Sequence, residues 1–365
     1  MSAEGQKKIV EMCKKILLER IASTNKLPWE EPLKCFNSFN WVTGNPYRGI
    51  NRVILPYGEY LTSKQLVDYN RSHGTDYRYN KDTTDFYPIV FTQVLEKEVD
   101  FSTLNSNTQE ALEKYGKVSL SSLSWLTYTQ GSDVAILNTR FLKYSTVFDR
   151  LNCINSEGNP LPSRVTDTHE VEITYSSIAE VLSGYINKQG IELEVMDKPV
   201  CATYNLFKDK IRISDRKYFK GTDKYYASLA HECGHSTGVA SRLGRKQVIT
   251  IHSLAGKSKD ELVSYVQDKP EYQGITEKKE ILEKLIKDLN TKRGYEECVA
   301  EFTASFLLAE CGVDKYEPND ISDSTSHAAY IKSWVKCLQD PSIDIIKIVS
   351  DADKAFNYIL SATQS

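Results

Sequence analysis

The hexapeptide Ala230-His231-Glu232-Cys233-Gly234-His235 constrains this chain more than any other stretch. Side chains four residues apart share one face of a helix, so His231 and His235 can offer two imidazole nitrogens to one metal ion, with Glu232 at the edge of that face. The surroundings suit a helix. Thr222 and Asp223 can cap its start, Tyr226, Leu229 and Ala230 supply apolar positions, and Gly238 can end it. The chain has only 6 histidines, which makes two at this spacing a concentrated signal rather than two incidental surface imidazoles.

Two histidines do not hold a catalytic zinc ion; a third protein ligand is needed, with the fourth position left for water. The best donor lies in the segment from Tyr295 to Leu308, which reads as a helix with Val299, Phe302, Phe306 and Leu307 on its apolar face. Glu297 and Glu301 are four apart and share a side, and Ala300 and Ala304 permit close helix approach. We assign Glu297 to the metal and Glu301 to orienting a ligating histidine, the reverse assignment being the alternative. Cys233 and Cys298 are further conceivable ligands. Zinc is the expected ion, and the same donor set accepts manganese. Glu232 then takes a proton from zinc-activated water as it attacks a carbonyl carbon, the chemistry of a zinc-dependent metallopeptidase. His327 and Tyr330 are candidates for stabilising the resulting oxyanion, although His327 could equally start a helix.

A chain of 365 residues exceeds one ordinary domain, and two domains are expected. A cluster of turn formers at Asn155–Pro162 sets the boundary, giving domains 1–160 and 161–365. The net charge of −3 creates no global field for nucleic acid, so any DNA binding must be local. No run approaches the roughly 20 apolar residues of a membrane span, the first residues lack the apolar core of a secretory signal, and no membrane partner is expected. The 8 cysteines are scattered without a C-x-x-C pair, which argues against a disulfide framework and for the cytoplasm.

Along the chain the fold class reads as α+β. Residues 6–23 form a helix, another starts at Thr62 or Ser63, and strands rich in aromatic and β-branched residues follow at 87–91, 124–128 and 141–148, making the first domain a mainly antiparallel sheet. The second domain is mainly helical. Residues 176–187 form a helix, and Lys210–Ser214 alternates like an edge strand able to hold an extended peptide beside the metal helix. The charged amphipathic stretch 277–289 reads as part of an inserted helical hairpin at about 250–292.

Several of these segments together resemble ArdC-type antirestriction proteins. In the first half the likeness lies in Leu27-Pro28-Trp29, Thr43-Gly44, Tyr47-Arg48-Gly49-Ile50-Asn51 and Trp125-Leu126-Thr127. In the second it lies in Ala230-His231-Glu232, His235 through Ser241-Arg242-Leu243, Glu296-Glu297, Ala300-Glu301, and His327-Ala328-Ala329-Tyr330-Ile331 with Trp334. The helix at 297–308 is also similar to the third-ligand helix of ImmA-like peptidases, which supports Glu297 as ligand. The resemblance implies an N-terminal single-stranded DNA-binding domain followed by a zincin-like, gluzincin-type metallopeptidase domain, on a protein carried by a plasmid or phage that shields incoming DNA from host restriction. Single-stranded DNA is the implied partner, with double-stranded DNA also open, together with a protein or peptide substrate of unknown identity. Aromatic platforms and cations for a single strand are available in Trp29, Trp41, Tyr47, Arg48 and Arg52. Two other functions fit the same motifs: a zinc endopeptidase, either processing enzyme or toxin, whose first domain binds protein; and a DNA-binding protein whose zinc is purely structural.

Overall fold

The computed structural model describes residues 3–24, 38–82, 84–121, 124–164, 175–313, 335, 338–341 and 343–362. The first part of the chain runs α1 (Ala3–Thr24), β1 (Phe39–Asn40), α2 (Ile50–Ile54), β2 (Glu59–Leu61), α3 (Ser63–His73), β3 (Arg78–Tyr79), β4 (Tyr87–Asp100), α4 (Ser106–Tyr115), β5 (Lys117–Ser119), β6 (Ser124–Tyr128), β7 (Val134–Asp149) and β8 (Cys153–Ile154). The second runs α5 (Tyr175–Gln189), β9 (Glu192–Met196), β10 (Thr203–Asn205), β11 (Lys210–Ser214), α6 (Thr222–Ser236), α7 (Lys246–Leu254), α8 (Lys259–Val266), α9 (Lys278–Glu310) and α10 (Ile345–Ser361). The α+β class holds. None of the described helices is long and apolar enough to cross a membrane.

The chain divides into two compact units, one formed by Met1–Met12 with Leu61–Leu161, the other by Cys13–Tyr60 with Pro162–Ser365. In the first unit β4 and β7 pair antiparallel from Tyr87↔Val147 to Asp100↔Val134. Antiparallel β6 and then β5 extend that pair. Helix α4 covers one face, its Leu112 packed with Leu126 and Ala135. Because successive strand residues alternate between faces, Lys117, Trp125 and Arg140 occupy the other. Local chemistry sets the helix ends: Thr62 and Gln65 form a reciprocal capping box at the start of α3, and left-handed Gly74 closes it.

Residues 13–60 depart from the expected division at 160/161, because they pack with the C-terminal unit. Arg52 is 6% exposed, and its guanidinium stacks on Phe306 and Phe356 at 4.5 and 5.0 Å. Arg20 donates to the Val53 carbonyl at 2.9 Å, and the Glu59 carboxylate accepts from the Ser163 hydroxyl and, at 3.0 Å, from the Arg164 N–H. A segment whose cations and carboxylates are consumed this way is part of that unit's core, whatever its place in the sequence.

The rest of the second unit is built around α9, a continuous helix of 33 residues. The expected hairpin at 250–292 and the separate ligand helix after it are therefore corrected. The charged stretch and the ligand segment are one rod of about 50 Å. Gly294, at the expected break, costs helix propensity of roughly 1 kcal/mol, and burial of Tyr295, Val299, Phe302 and Phe306 beyond it overrides that cost. The N-terminal part of α9 joins α7 and α8 around a small core of its own, Leu254, Val266, Tyr272, Ile281 and Leu285. The C-terminal part packs on α6 and on α10, whose Asp351 accepts from the Tyr295 hydroxyl at 2.7 Å.

Two glycines on this scaffold should respond oppositely to alanine. A Cβ at Gly234 would lie 3.0 Å from Ala300 Cα and 3.3 Å from Thr303 Cβ, whereas one at Gly294 would meet nothing within 4 Å. Gly234→Ala is expected to destabilise by about 1–3 kcal/mol and Gly294→Ala to stabilise by roughly 0.5–1 kcal/mol. Urea unfolding of both variants reads the signs directly.

Candidate metal centre

Helix α6 presents His231 and His235 on one face, as their spacing requires, and α9 brings Glu297 to them. The three donors converge. His231 Nε2 lies 3.0 Å from His235 Nε2 and 3.3 Å from Glu297 Oε2, and His235 Nε2 lies 3.6 Å from that same oxygen. Donors about 2.0–2.1 Å from a tetrahedral ion stand roughly 3.3 Å apart, so the triangle has the size that one small divalent cation needs. It is also the metal-capable group found among the described residues.

The neighbouring carboxylates have distinct environments. Glu301 Oε1 lies 3.5 Å from His231 Nδ1 and is largely buried, the position from which a carboxylate fixes the tautomer that leaves Nε2 free for a metal. Burial disfavours charge on His231, but Glu301 and Glu297 outweigh it and raise the imidazole's proton affinity well above normal. Burial likewise opposes ionisation of Glu297, and the two histidines overcome it, holding the carboxyl well below its usual range. Glu232 goes the other way: it is 6% exposed, and burial raises its pKa. One carboxyl is thus held as an anion beside two imidazoles while another, next to it, retains affinity for a proton.

These groups open onto a cleft of about 380 Å³ walled by Thr203, Tyr204, Leu206, Val248, Ile251 and Arg293. The edge strand beside it is β10. The expectation for Lys210–Ser214 is corrected, because β11 lies between β10 and β9, with both of its edges paired. A four-residue link separates the alternating, obvious strand from the short one that reaches the site.

Two arginines that sequence reasoning left without a role hold this geometry. Arg245 pairs through Nε with both Glu296 oxygens at 3.1 and 2.9 Å and donates to Thr237 Oγ1 at 2.6 Å and to the Gly234 carbonyl at 3.0 Å. Arg242 grips Asp209 at 2.9 and 2.6 Å and donates to the Ser236 carbonyl at 2.9 Å. Asp209 sits in the β10–β11 turn at φ 48°, a left-handed conformation, so this contact fixes the edge strand to the end of α6. The available signal was two cations three apart in a loop immediately after a metal helix, where free carbonyls need donors.

The structure therefore brings His231, Glu232, His235, Glu297 and Glu301 together. Cys233 and Cys298 are withdrawn as ligands: they are 0% and 1% exposed, and neither joins the converging donors. Trp29, His327 and Tyr330 lie outside the described residues. Trp41 and Arg52 are withdrawn as DNA contacts because neither faces solvent. Trp41 is 1% exposed, donates from Nε1 to the Pro162 carbonyl at 2.8 Å and lies under the Arg164 guanidinium at 4.3 Å. Tyr47 is half-buried and Arg48 exposed, both in the C-terminal unit.

Comparison with known proteins gives three findings. The Zincin-like metallopeptidase family matches residues 181–269, a span that includes α6 and stops short of Glu297. The ArdC antirestriction protein from the R388 plasmid, solved metal-free and Mn(II)-bound, superposes with a TM-score of 0.53 and 18% identity over 97% of each chain. The chain thus has the ArdC fold, as the motifs led us to expect. DNA primase TraC of Escherichia coli is 25% identical over 375 residues, covering 99% of this chain and 28% of that protein; a second TraC match is 29% identical over 163 residues, 45% of this chain and 8% of that one. The chain spans less than a third of the curated relatives it matches.

The different places of Glu297 and Glu301 set different outcomes for their removal. Glu297→Ala should abolish stoichiometric metal binding, as should His235→Ala, while Glu301→Ala should keep the ion at an affinity lowered about 10- to 100-fold. Metal titration with a competing chelator separates the two, and stoichiometric tight binding in Glu297→Ala would reverse the assignment.

Proposed function

We propose that this chain is a divalent-metal-dependent peptidase of the antirestriction type that also binds single-stranded DNA. The observation that carries the hydrolytic half is the convergence of His231, His235 and Glu297 beside buried Glu232 and the free edge of β10. A bound zinc or manganese ion at this site supplies electrophilic polarisation of a carbonyl and acidification of water. His231, His235 and Glu297 would hold it, and Glu301 would keep His231 in the ligating tautomer. Glu232 accepts a proton on its carboxylate and returns it to the departing amine, a role suited to a carboxyl whose burial raises its affinity for protons. An extended peptide laid along β10 would gain main-chain hydrogen bonds there, so recognition needs no particular side chain at every position.

The DNA half draws on the fold shared with an antirestriction protein and on the similarity to a DNA primase. Within the N-terminal unit, the sheet face opposite α4 supplies the surface. Lys117 Nζ and the Arg140 guanidinium lie 5.1 and 5.3 Å from the Trp125 ring centroid, and both cations are exposed. A half-exposed indole between two cations can stack a base while the cations turn to flanking phosphates. Glu96 and Glu98 share that face on β4, which sets the favourable path along β5 and β6. We therefore assign the proposed interface to Trp125 rather than to Trp41 and Arg52.

Two experiments test the two halves separately. Glu232→Gln should retain its metal and lose about 10²- to 10⁴-fold in peptide hydrolysis. Transforming unmodified DNA into a restricting host that carries this variant shows whether protection needs turnover; full protection there would make hydrolysis dispensable for it. Trp125→Ala in the full chain should weaken binding of a labelled oligothymidylate by roughly 5- to 100-fold, and Lys117→Glu with Arg140→Glu should flatten its salt dependence. Unchanged affinity in both variants would remove the DNA interface from this face.

A further inference from the structure

Arg293 stands out among the charged groups of the metal cleft. The other groups have assigned places: His231, His235 and Glu297 converge on the ion site, Glu301 stands behind His231, Glu296 is bound by Arg245, and Glu232 lies buried beside the donors as the proton acceptor. Arg293 lines the same cleft, is exposed, and forms no hydrogen bond or ion pair among the described residues. It lies four residues before Glu297 on α9, hence on the same helix face, with Glu296 between them also lining the cleft.

An exposed arginine on a surface needs no explanation, but this one lines a cleft that, on the hydrolytic reading, accepts a chain. One helical turn rises about 5.4 Å, which corresponds to one or two residues of an extended peptide at roughly 3.3 Å each. A guanidinium there faces the substrate close to the bond presented to the metal donors. The opposite needs are met by the rest of the lining: Leu206, Val248 and Ile251 are apolar, and Thr203 and Tyr204 belong to the edge strand. No described lysine or other arginine lines the cleft. Arg293 is therefore the one described arginine or lysine in the lining, and its guanidinium is shaped for two parallel hydrogen bonds to a carboxylate.

We propose that Arg293 is the specificity-determining residue of this cleft and that it binds a substrate carboxylate one or two residues from the scissile bond. The proposal rests on the hydrolytic reading of the site and names the class of substrate it takes: a peptide bearing an Asp or Glu side chain, or a free C-terminal carboxylate, at that distance. An acidic substrate would meet the carboxylates of Glu232 and Glu297 in the cleft, Glu296 being paired with Arg245. Arg293 supplies the compensating charge at one position only, and so selects where the acid must sit.

Binding of peptide hydroxamates to the metal-loaded full chain tests this without turnover. One series carries Asp, isosteric Asn or Lys at the first or second position from the hydroxamate, each with a free or amidated C-terminus. The wild-type protein is expected to bind an acidic member roughly 10- to 100-fold more tightly than its neutral isostere. Arg293→Gln should erase that preference and Arg293→Glu should invert it in favour of Lys, with metal content unchanged in both. Preference surviving C-terminal amidation identifies a side-chain carboxylate; preference lost on amidation identifies the C-terminus. Equal binding of Asp and Asn peptides, or a preference that persists in Arg293→Gln, overturns the inference alone. If no member binds although the metal is present, the hydrolytic reading fails and takes the inference with it.

Discussion

The close crossing of α6 and α9 is the contact on which the site depends. Gly234 lies against the backbone of Ala300, with no room for a side chain between the two helices. That approach carries Glu297 of one helix to the imidazoles of the other, and side chains of ordinary length could not span a wider separation and still form a triangle with edges of 3.0, 3.3 and 3.6 Å. Close packing of backbones alone leaves a helix free to rotate about its axis. Arg245 removes that freedom, because its bidentate pairing with Glu296 sets the rotational phase of α9 next to the ligand. A buried ion pair is a weak source of net stability, so its value here lies in fixing a geometry.

The same loop solves a second problem. The last four carbonyls of a helix have no partner inside it. At the end of α6, Cys233 O accepts from the Thr237 N–H and the Ser236 hydroxyl, Gly234 O from Thr237 Oγ1 and Arg245, His235 O from the Gly238 N–H and Ser236 O from Arg242. Two of those donors continue outward, Arg245 to the ligand helix and Arg242 to the turn that carries the edge strand. Capping the metal helix and aligning its two neighbours are thus one network, and the cations also complement the negative end of the helix dipole. Tyr204 joins the same network from the strand side, its hydroxyl donating to Asp209 at 2.7 Å.

What could be read from the residues divides along physical lines. The spacing of His231 and His235, and of Glu297 and Glu301, is a local property of one helix, and it survived intact into the three-dimensional site. The strand β6 and the second half of β7 were legible for the same reason, since alternation is local. The failures concern competition between local and tertiary forces. Gly294 and the change from charged to apolar residues look like an end and a new beginning, but α9 continues because burial of its second half outweighs one glycine. β10 has three residues and no alternation to announce it, while β11, which does alternate, is interior to its sheet. Arg242 and Arg245 carry no periodic signal at all; their meaning comes from carbonyls that exist only once α6 has formed.

The error at Trp41 and Arg52 has a more general cause. An aromatic ring with a nearby cation is the composition of a nucleic-acid interface, and it is equally the composition of an internal cation–π contact. Arg52 against Phe306 and Phe356, and Arg164 over Trp41, are the internal kind, with the charge buried among groups distant in sequence. Lys117 and Arg140 around Trp125 are built from the same residue types, but the cations remain in solvent and the ring belongs to a sheet face not covered by α4. Residue type therefore does not distinguish the two segments; exposure does. The described residues of 13–60 become structural support for the helices that carry the metal donors, and the surface we propose for a single strand belongs to the antiparallel sheet. On the proposed reading, the hydrolytic groups and the groups offered to a nucleic acid fall in separate compact units, which would allow a substitution in one to leave the chemistry of the other intact.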